Sequence, residues 1–268
     1  MKKTLALVLS LLLLFSLAAC SSKTEEPKSK LDQIKEAGEL VLGTSADYPP
    51  AEFHVMENGE DKIIGYDITL AQYIADDLGV DLKVVDMAFD GLCISLSKGE
   101  FDLVISGMSM TEERLKSVDF TVPYYHGEQV ILVRTEDADL YNTTADLAGK
   151  KVAVQSGTIQ VPVANELFGE ENVVTLVKNQ DIILELQNKK VDVAYIDKMP
   201  SLAFASANSD IMVKDVGIVI DNEEQSIAVQ KGNEEFLEYL NGIVTKLLED
   251  GSIDQFIADA QTIAGVDE

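Results

Sequence analysis

The sequence predicts an α/β protein of two similar lobes, each a mainly parallel sheet flanked by helices. Three observations lead there. From about Leu31 onward, short β-branched runs alternate with helical patterns, which is the mark of βα units around a parallel sheet. The alternation restarts near Asp146. Two distant segments also match. Leu96-Ser-Lys-Gly-Glu-Phe-Asp102-Leu-Val-Ile-Ser-Gly107 and Leu186-Gln-Asn-Lys-Lys-Val-Asp192-Val-Ala-Tyr-Ile-Asp197 each run from a helix end, through a basic turn, to an aspartate opening an apolar strand.

A chain of 268 residues holds one large or two small domains. With 46% hydrophobic and 25% charged residues it has the composition of a folded protein. The net charge of −26 repels phosphate backbones, which excludes nucleic-acid binding by a general basic face. Two cysteines and two histidines leave little room for a metal centre, and no cofactor is expected.

Met1-Lys2-Lys3 is basic, Leu5 to Leu17 is almost wholly apolar, and Leu17-Ala18-Ala19-Cys20 ends the run in small residues. That order describes a secretory signal over residues 1–19, in a stretch short for a membrane span. Leu-Ala-Ala-Cys resembles the lipobox of bacterial lipoproteins, which implies that Cys20 is acylated and anchors the mature chain to a bilayer. An uncleaved anchor, or an ordinary signal followed by a chance cysteine, is the alternative. Residues 20–30 then form the lipidated cysteine and a polar tether. Cys93, left as the free thiol, reads as a small core residue.

In the first half, strands are expected at Leu40-Val41-Leu42, Leu82 to Val85 and Phe101 to Ile105. A helix is expected over Ile68 to Leu78, where Ile68, Ala71, Ile74, Ala75 and Leu78 fall on one face, and a short one over Leu92 to Leu96. In the second half, strands at Val152 to Val154, Val173 to Val177, Val191 to Ile196 and Ile211 to Val213 alternate with helices at Val161 to Phe168, Ile182 to Gln187 and Lys198 to Ala207. Pro162 falls in the first turn of its helix, where a missing N–H costs little. A long amphipathic stretch through Phe236, Leu240, Val244 and Leu247, and a last helix near Ile253 to Ala260, have no counterpart in the other half. They are expected to return to the first lobe. That gives lobe one as 31–132 plus 227–268 and lobe two as 133–226, with Val130 to Val133 and Ile227 to Val229 crossing as a hinge.

Ligands of open α/β sheets bind beyond the C-terminal strand ends, so the ends of the two repeated strands are the first place to look. Ser106 to Arg114 follows a strand and reads as opening a helix, with Ser109-x-x-Glu112 as a capping box or Thr111 as the cap. A cation near a helix N-terminus is misplaced unless an anion joins it, so Arg114 suits a carboxylate; a pairing with Glu112 or Glu113 is the other reading. Asp197 ends the equivalent strand. It suits an ammonium group, or it caps the helix from Lys198. Gln155-Ser156-Gly157-Thr158 offers backbone N–H groups to an anion or is a plain turn. Tyr48 and Phe89 are aromatics at strand ends that either sandwich a ligand stem or belong to the core.

Six landmarks in order carry a resemblance to a known family: Gly43-Thr-Ser-Ala-Asp-Tyr48-Pro-Pro-Ala-Glu-Phe53, Gly65-Tyr-Asp67, Phe89-Asp-Gly91-Leu, Gly107-Met-Ser-Met-Thr-Glu-Glu-Arg114, Val118-Asp-Phe-Thr-Val-Pro-Tyr-Tyr125 and Gly157-Thr158. From about Leu31 to Ala260 the chain resembles the polar amino-acid-binding proteins of ABC transporters, the bacterial solute-binding protein family 3, of glutamine-, histidine- and lysine/arginine/ornithine-binding type. The resemblance implies a two-lobed periplasmic-binding-protein fold of type II that closes on its ligand. It implies stacking by Tyr48 and Phe89, carboxylate and lobe-one contacts at Gly107, Ser109 and Arg114, a second-lobe carboxylate donor at Thr158 and an ammonium acceptor at Asp197. Ser45, Asp47, Glu52, Gln155 and Gln160 are the candidates for a side-chain pocket. Ser45 stands where basic-amino-acid binders often have aspartate, and Gln155 where glutamine binders often have lysine.

The expectation is therefore a monomeric extracytoplasmic lipoprotein, not an enzyme, that captures a polar or cationic L-amino acid and delivers it to a membrane permease. An amino-acid sensor or adhesin is the alternative. An enzyme is a remote one, since Gly-x-Ser-x-Gly, Walker and Gly-x-Gly-x-x-Gly patterns are absent from the sequence.

Overall fold

A computed structural model of the protein describes residues 28–221 and 223–266. The signal segment, Cys20 and the tether as far as residue 27 lie outside the described residues. The chain opens with α1 (Lys30–Ala37) and β1 (Glu39–Thr44), followed by a meander of β2 (Asp47–Tyr48), β3 (Glu52–Glu57) and β4 (Glu60–Ile64). Next come α2 (Tyr66–Leu78), β5 (Asp81–Asp86), α3 (Leu92–Ser97), β6 (Leu103–Val104), β7 (Val118–Phe120) and the short β8 (Tyr125–His126). The second half has β9 (Gln129–Arg134), β10 (Val152–Gln155), α4 (Gln160–Phe168), β11 (Val173–Leu176), α5 (Asn179–Gln187), β12 (Val193–Asp197), α6 (Lys198–Ala207) and β13 (Ile211–Lys214). The chain returns through β14 (Glu224–Gln225) and β15 (Ala228–Gln230), and ends in α7 (Glu234–Glu249) and α8 (Ser252–Ala264).

Ten of these strands form two five-stranded sheets, β5-β1-β6-β15-β7 and β11-β10-β12-β9-β13. They match strand for strand. The first three of each run parallel, and the last two are antiparallel to their neighbours. The repeat seen in the sequence is the central strand of each sheet. Asp102 accepts a hydrogen bond from the Val41 N–H at 2.7 Å, and Asp192 accepts one from the Lys151 N–H at 2.9 Å. Each aspartate thus staples the start of its strand to the neighbouring parallel strand.

Helix α2 buries Ala71, Ile74, Ala75 and Leu78 of the face that the spacing predicts, with Leu70 beside them and Ile68 half-buried, and Gly79, at φ 73°, ends it in the left-handed conformation that glycine takes without penalty. Phe236, Leu240, Ile243, Val244 and Leu247 of α7 and Ile253 and Ala260 of α8 share one core with Ile34, Leu40, Leu70 and Ile74. The first lobe is therefore discontinuous in sequence.

Two expectations are corrected. Val130 to Val133 is not a hinge crossing: β9 lies between β12 and β13 inside the second sheet and is buried along its whole length. Likewise Ile227 to Val229 leads into β15 of the first sheet. The crossing is the antiparallel pair β8 and β14, with Tyr125 opposite Gln225 and His126 opposite Glu224. An apolar extended run is silent about which sheet receives it, so the sequence could not place the crossing. The second correction concerns Ser109. No α-helix lies between β6 and β7; a single 3₁₀ turn spans Arg114–Lys116. Ser109 pairs instead with Gln225 in an isolated bridge, and the hydroxyl of Thr111 accepts from the Arg114 N–H at 3.2 Å.

Candidate binding cleft

The C-terminal ends of β1, β6, β10 and β12 face a single cleft between the lobes, with about 470 Å³ of space partly open to solvent. All twelve residues singled out for ligand contact line it: Ser45, Asp47, Tyr48, Glu52, Phe89, Gly107, Ser109, Arg114, Gln155, Thr158, Gln160 and Asp197. Ser106, Ile159, Asn179, Tyr195 and Ile196 complete the wall.

Arg114 donates from Nη1 to the Ser109 carbonyl at 2.5 Å and from Nη2 across the cleft to the Gly157 carbonyl at 2.9 Å. Its guanidinium lies over the Phe89 ring, 5.2 Å from the centroid. Neither neighbouring acid pairs with it, and Glu113 is held by Lys116. Among the described residues it forms no ion pair, and burial pulls its pKa below the ordinary value. Arg114 is not set against a helix macrodipole as expected, because a three-residue 3₁₀ turn has almost no dipole.

Asp197 is the converse. It stands at the N-cap of α6, yet its side chain makes no capping bond. The carboxylate turns into the cleft and accepts from the Tyr48 hydroxyl, from Gln129 Nε2 and, at 2.9 Å, from Gln160 Nε2. All three donors are neutral, and no ion pair reaches it among the described residues. Removal from water pushes its pKa up to about 6 against the pull of these donors.

Asp47 closes a third corner. It accepts from the Ser45 hydroxyl at 3.2 Å, from Gln155 Nε2 at 3.1 Å and from the Asn179 N–H at 2.7 Å. Asn179 is the first residue of α5, so a lobe-one carboxylate sits on the positive end of a lobe-two helix. These bonds, with Tyr48 to Asp197 and Arg114 to Gly157, hold the lobes closed upon one another. Gly157, at φ 78°, suits this contact, since a Cβ there would come within 2.8 Å of the Asp90 Cβ.

Two residues expected to contact the ligand each commit a hydrogen within the protein. The Thr158 hydroxyl donates to the Gln155 carbonyl at 2.8 Å, which makes it a turn-closing group. The Gly107 N–H donates to Asp67 at 2.9 Å. Gly107 itself, at φ 55°, lets the Tyr48 ring lie against the backbone, where a Cβ would approach to 3.0 Å. Gln129 and Asn179 are contributors that motif reading missed. Asn179 had a signal: the repeat offset that pairs Asp197 with Gly107 also pairs Asn179 with Phe89.

Residues 40–259 match the family model of bacterial extracellular solute-binding proteins, family 3. The chain is 31% identical over 261 residues to the arginine-binding extracellular protein ArtP of Bacillus subtilis, covering 95% of this chain and 96% of the relative. Among solved structures, an amino acid ABC transporter substrate-binding protein of Streptococcus pneumoniae bound to L-arginine matches with a TM-score of 0.84 at 31% identity, over 90% of this chain and all of that one. The ancestral amino acid-binding protein AncCDT-1, a precursor of cyclohexadienyl dehydratase, matches with a TM-score of 0.78 at 33% identity, over 86% and 99% of the two chains. The two lobes are those of the periplasmic amino-acid-binding proteins.

Proposed function

The chain belongs to family 3 of the bacterial extracellular solute-binding proteins, and on that premise we propose that it captures an L-amino acid with a cationic side chain and presents it to an ABC importer. One observation carries the reading. A guanidinium without a carboxylate and a carboxylate without a cation line the same cleft, Arg114 from lobe one and Asp197 from lobe two. Each is costly alone away from water, and an α-carboxylate and an α-ammonium on one ligand satisfy both.

The charge balance extends the reading to the side chain. Asp47, Glu52 and Asp197 line the cleft against one guanidinium. After the zwitterion has matched Arg114 and Asp197, two carboxyl groups remain, and a cationic side chain answers them. Ser45 in place of the aspartate usual in basic-amino-acid binders does not leave that corner neutral, because its hydroxyl holds the Asp47 carboxylate. Delivery without chemistry follows from closure of the two lobes and its reading by a permease.

The test is thermal unfolding of residues 21–268 with each common amino acid, ornithine and citrulline. A ligand at a thousand times its dissociation constant adds about 4 kcal/mol of stability. Arginine, lysine or ornithine is expected to give the largest shift and glutamate none. A larger shift with glutamate or glutamine would overturn the cationic assignment. Mass spectrometry of the denatured protein shows any ligand carried through purification.

The lipid anchor is part of the same proposal, and it rests on the Leu17 to Cys20 sequence. Cys20→Ala is expected to move the protein from the membrane fraction to the soluble one; retention on membranes after that change would mean that another element anchors it.

A further inference from the structure

Beneath the cleft lies a pair of acids that the zwitterion site does not use. Glu52 and Asp67 are both 0% exposed. Glu52 Oε1 accepts from the Ser106 hydroxyl at 2.9 Å, and Asp67 Oδ2 accepts from the Gly107 N–H at 2.9 Å and the Tyr124 hydroxyl at 3.0 Å. The other oxygen of each, Glu52 Oε2 and Asp67 Oδ1, is buried and has no further partner. Their donors, Ser106 and Gly107, are consecutive residues, and this brings the two carboxyl groups together. Two carboxylates are both acceptors, so that contact needs a hydrogen between them.

The groups facing the pair from the surrounding elements are Asp47, Tyr48, Tyr66 and Tyr124. None is a cation. Arg114, the cation of the cleft wall, is engaged by Phe89, Ser109 and Gly157. Burial, then the neighbouring carboxylate, drives Glu52 well above the ordinary carboxylate range, and burial pushes Asp67 up to about 6.

We propose that Glu52 and Asp67 share one proton in the ligand-free protein and release it to solvent when a cationic ligand side chain enters the cleft, so that capture of a cationic amino acid is coupled to proton release. The inference rests on the cationic-ligand reading given above. Glu52 is the member of the pair that lines the cleft. A guanidinium or ammonium beside it stabilises the doubly ionised pair, and the proton goes to the buffer. A neutral side chain supplies no such charge, and the proton stays. The sign is fixed by linkage. The pair holds its proton more weakly in the complex than in the free protein, so affinity for a cationic ligand rises with pH by up to about tenfold per unit. The rise levels off above the range in which the free pair deprotonates.

The experiment is titration calorimetry on the mature wild-type protein with L-arginine and L-citrulline, in phosphate and in Tris at pH 7, repeated from pH 5.5 to 8. The buffer dependence of the heat counts protons. Arginine is expected to release close to one proton more than citrulline. The difference between ligands removes any contribution from Asp197, which meets the same ammonium group in both. Equal counts for the two ligands would overturn the proposal. If no cationic amino acid bound at all, the ligand reading itself would fall, and the proton count with it.

Asp67→Asn separates the pair from Asp47. Its amide oxygen replaces Oδ2 and its NH₂ donates to Glu52, so this variant is expected to bind arginine without the extra proton and with a pH profile that keeps only the acid limb of Asp197, as citrulline shows in the wild type. Undiminished release in Asp67→Asn would place the proton on Asp47 and overturn the assignment to the pair.

Discussion

Arg114→Ala is expected to weaken amino-acid binding roughly thirty- to several-thousand-fold, the equivalent of about 2–5 kcal/mol. The size follows from what the substitution leaves behind. The α-carboxylate enters a cleft already lined by Asp47, Glu52 and Asp197, and without Arg114 it meets like charges in a place that water reaches poorly. The variant also loses the bond to the Gly157 carbonyl, a link between lobes, so part of the loss is in closure. Ligand truncation divides the two parts. Agmatine is arginine without its carboxylate. If Arg114 binds that carboxylate, wild type prefers arginine to agmatine by a wide margin and Arg114→Ala does not, a coupling read from the two affinity ratios. Equal loss for both ligands would assign Arg114 to closure alone. Arg114→Lys keeps the charge and loses the planar fork and the stacking on Phe89, so it should fall between wild type and alanine.

Much of this site is legible in the sequence because the two lobes repeat one plan. The positions of Asp102 and Asp192, the strands they open and the strand-end pairs Ser106-Gly107 and Ile196-Asp197 all follow from one internal match. Local patterns were weaker guides where tertiary contacts compete. Ser109-x-x-Glu112 has the form of a capping box, but Ser109 is drawn into a bridge with Gln225, a residue more than a hundred positions away. Gln129 opens β9 as one polar residue before an apolar run, with nothing nearby to mark it. Its role appears only when β9 lies beside β12 and sets Gln129 opposite Asp197. The hinge escaped for the same reason, since β8 and β14 are two-residue strands whose pairing is entirely long-range.

Asp197→Asn tests the opposite end of the ligand, and here charge rather than shape is the variable. The amide fills the same volume and still accepts through Oδ1. The ligand ammonium must then displace or share donors that now face a neutral group, and a loss of about 2–5 kcal/mol is expected. The diagnostic ligand is 5-guanidinopentanoate, which is arginine without its α-ammonium group. Wild type should reject it relative to arginine; Asp197→Asn should bind the two with similar affinity. A preserved preference for arginine in the variant would move the ammonium site to Asp47 or Glu52. A pH profile gives an independent reading. The free Asp197 carboxyl sits near 6 because it is withdrawn from water, and an ammonium against it lowers that value in the complex. The Asp197 contribution to affinity, common to every α-amino acid, should therefore be full above about pH 6 and fall as the pH drops below it. In Asp197→Asn that acid limb should vanish for citrulline, whose neutral side chain leaves the Glu52 and Asp67 proton in place, while arginine should retain the separate rise that the buried pair imposes. The two ligands thus report the two acids of the cleft independently in one set of titrations.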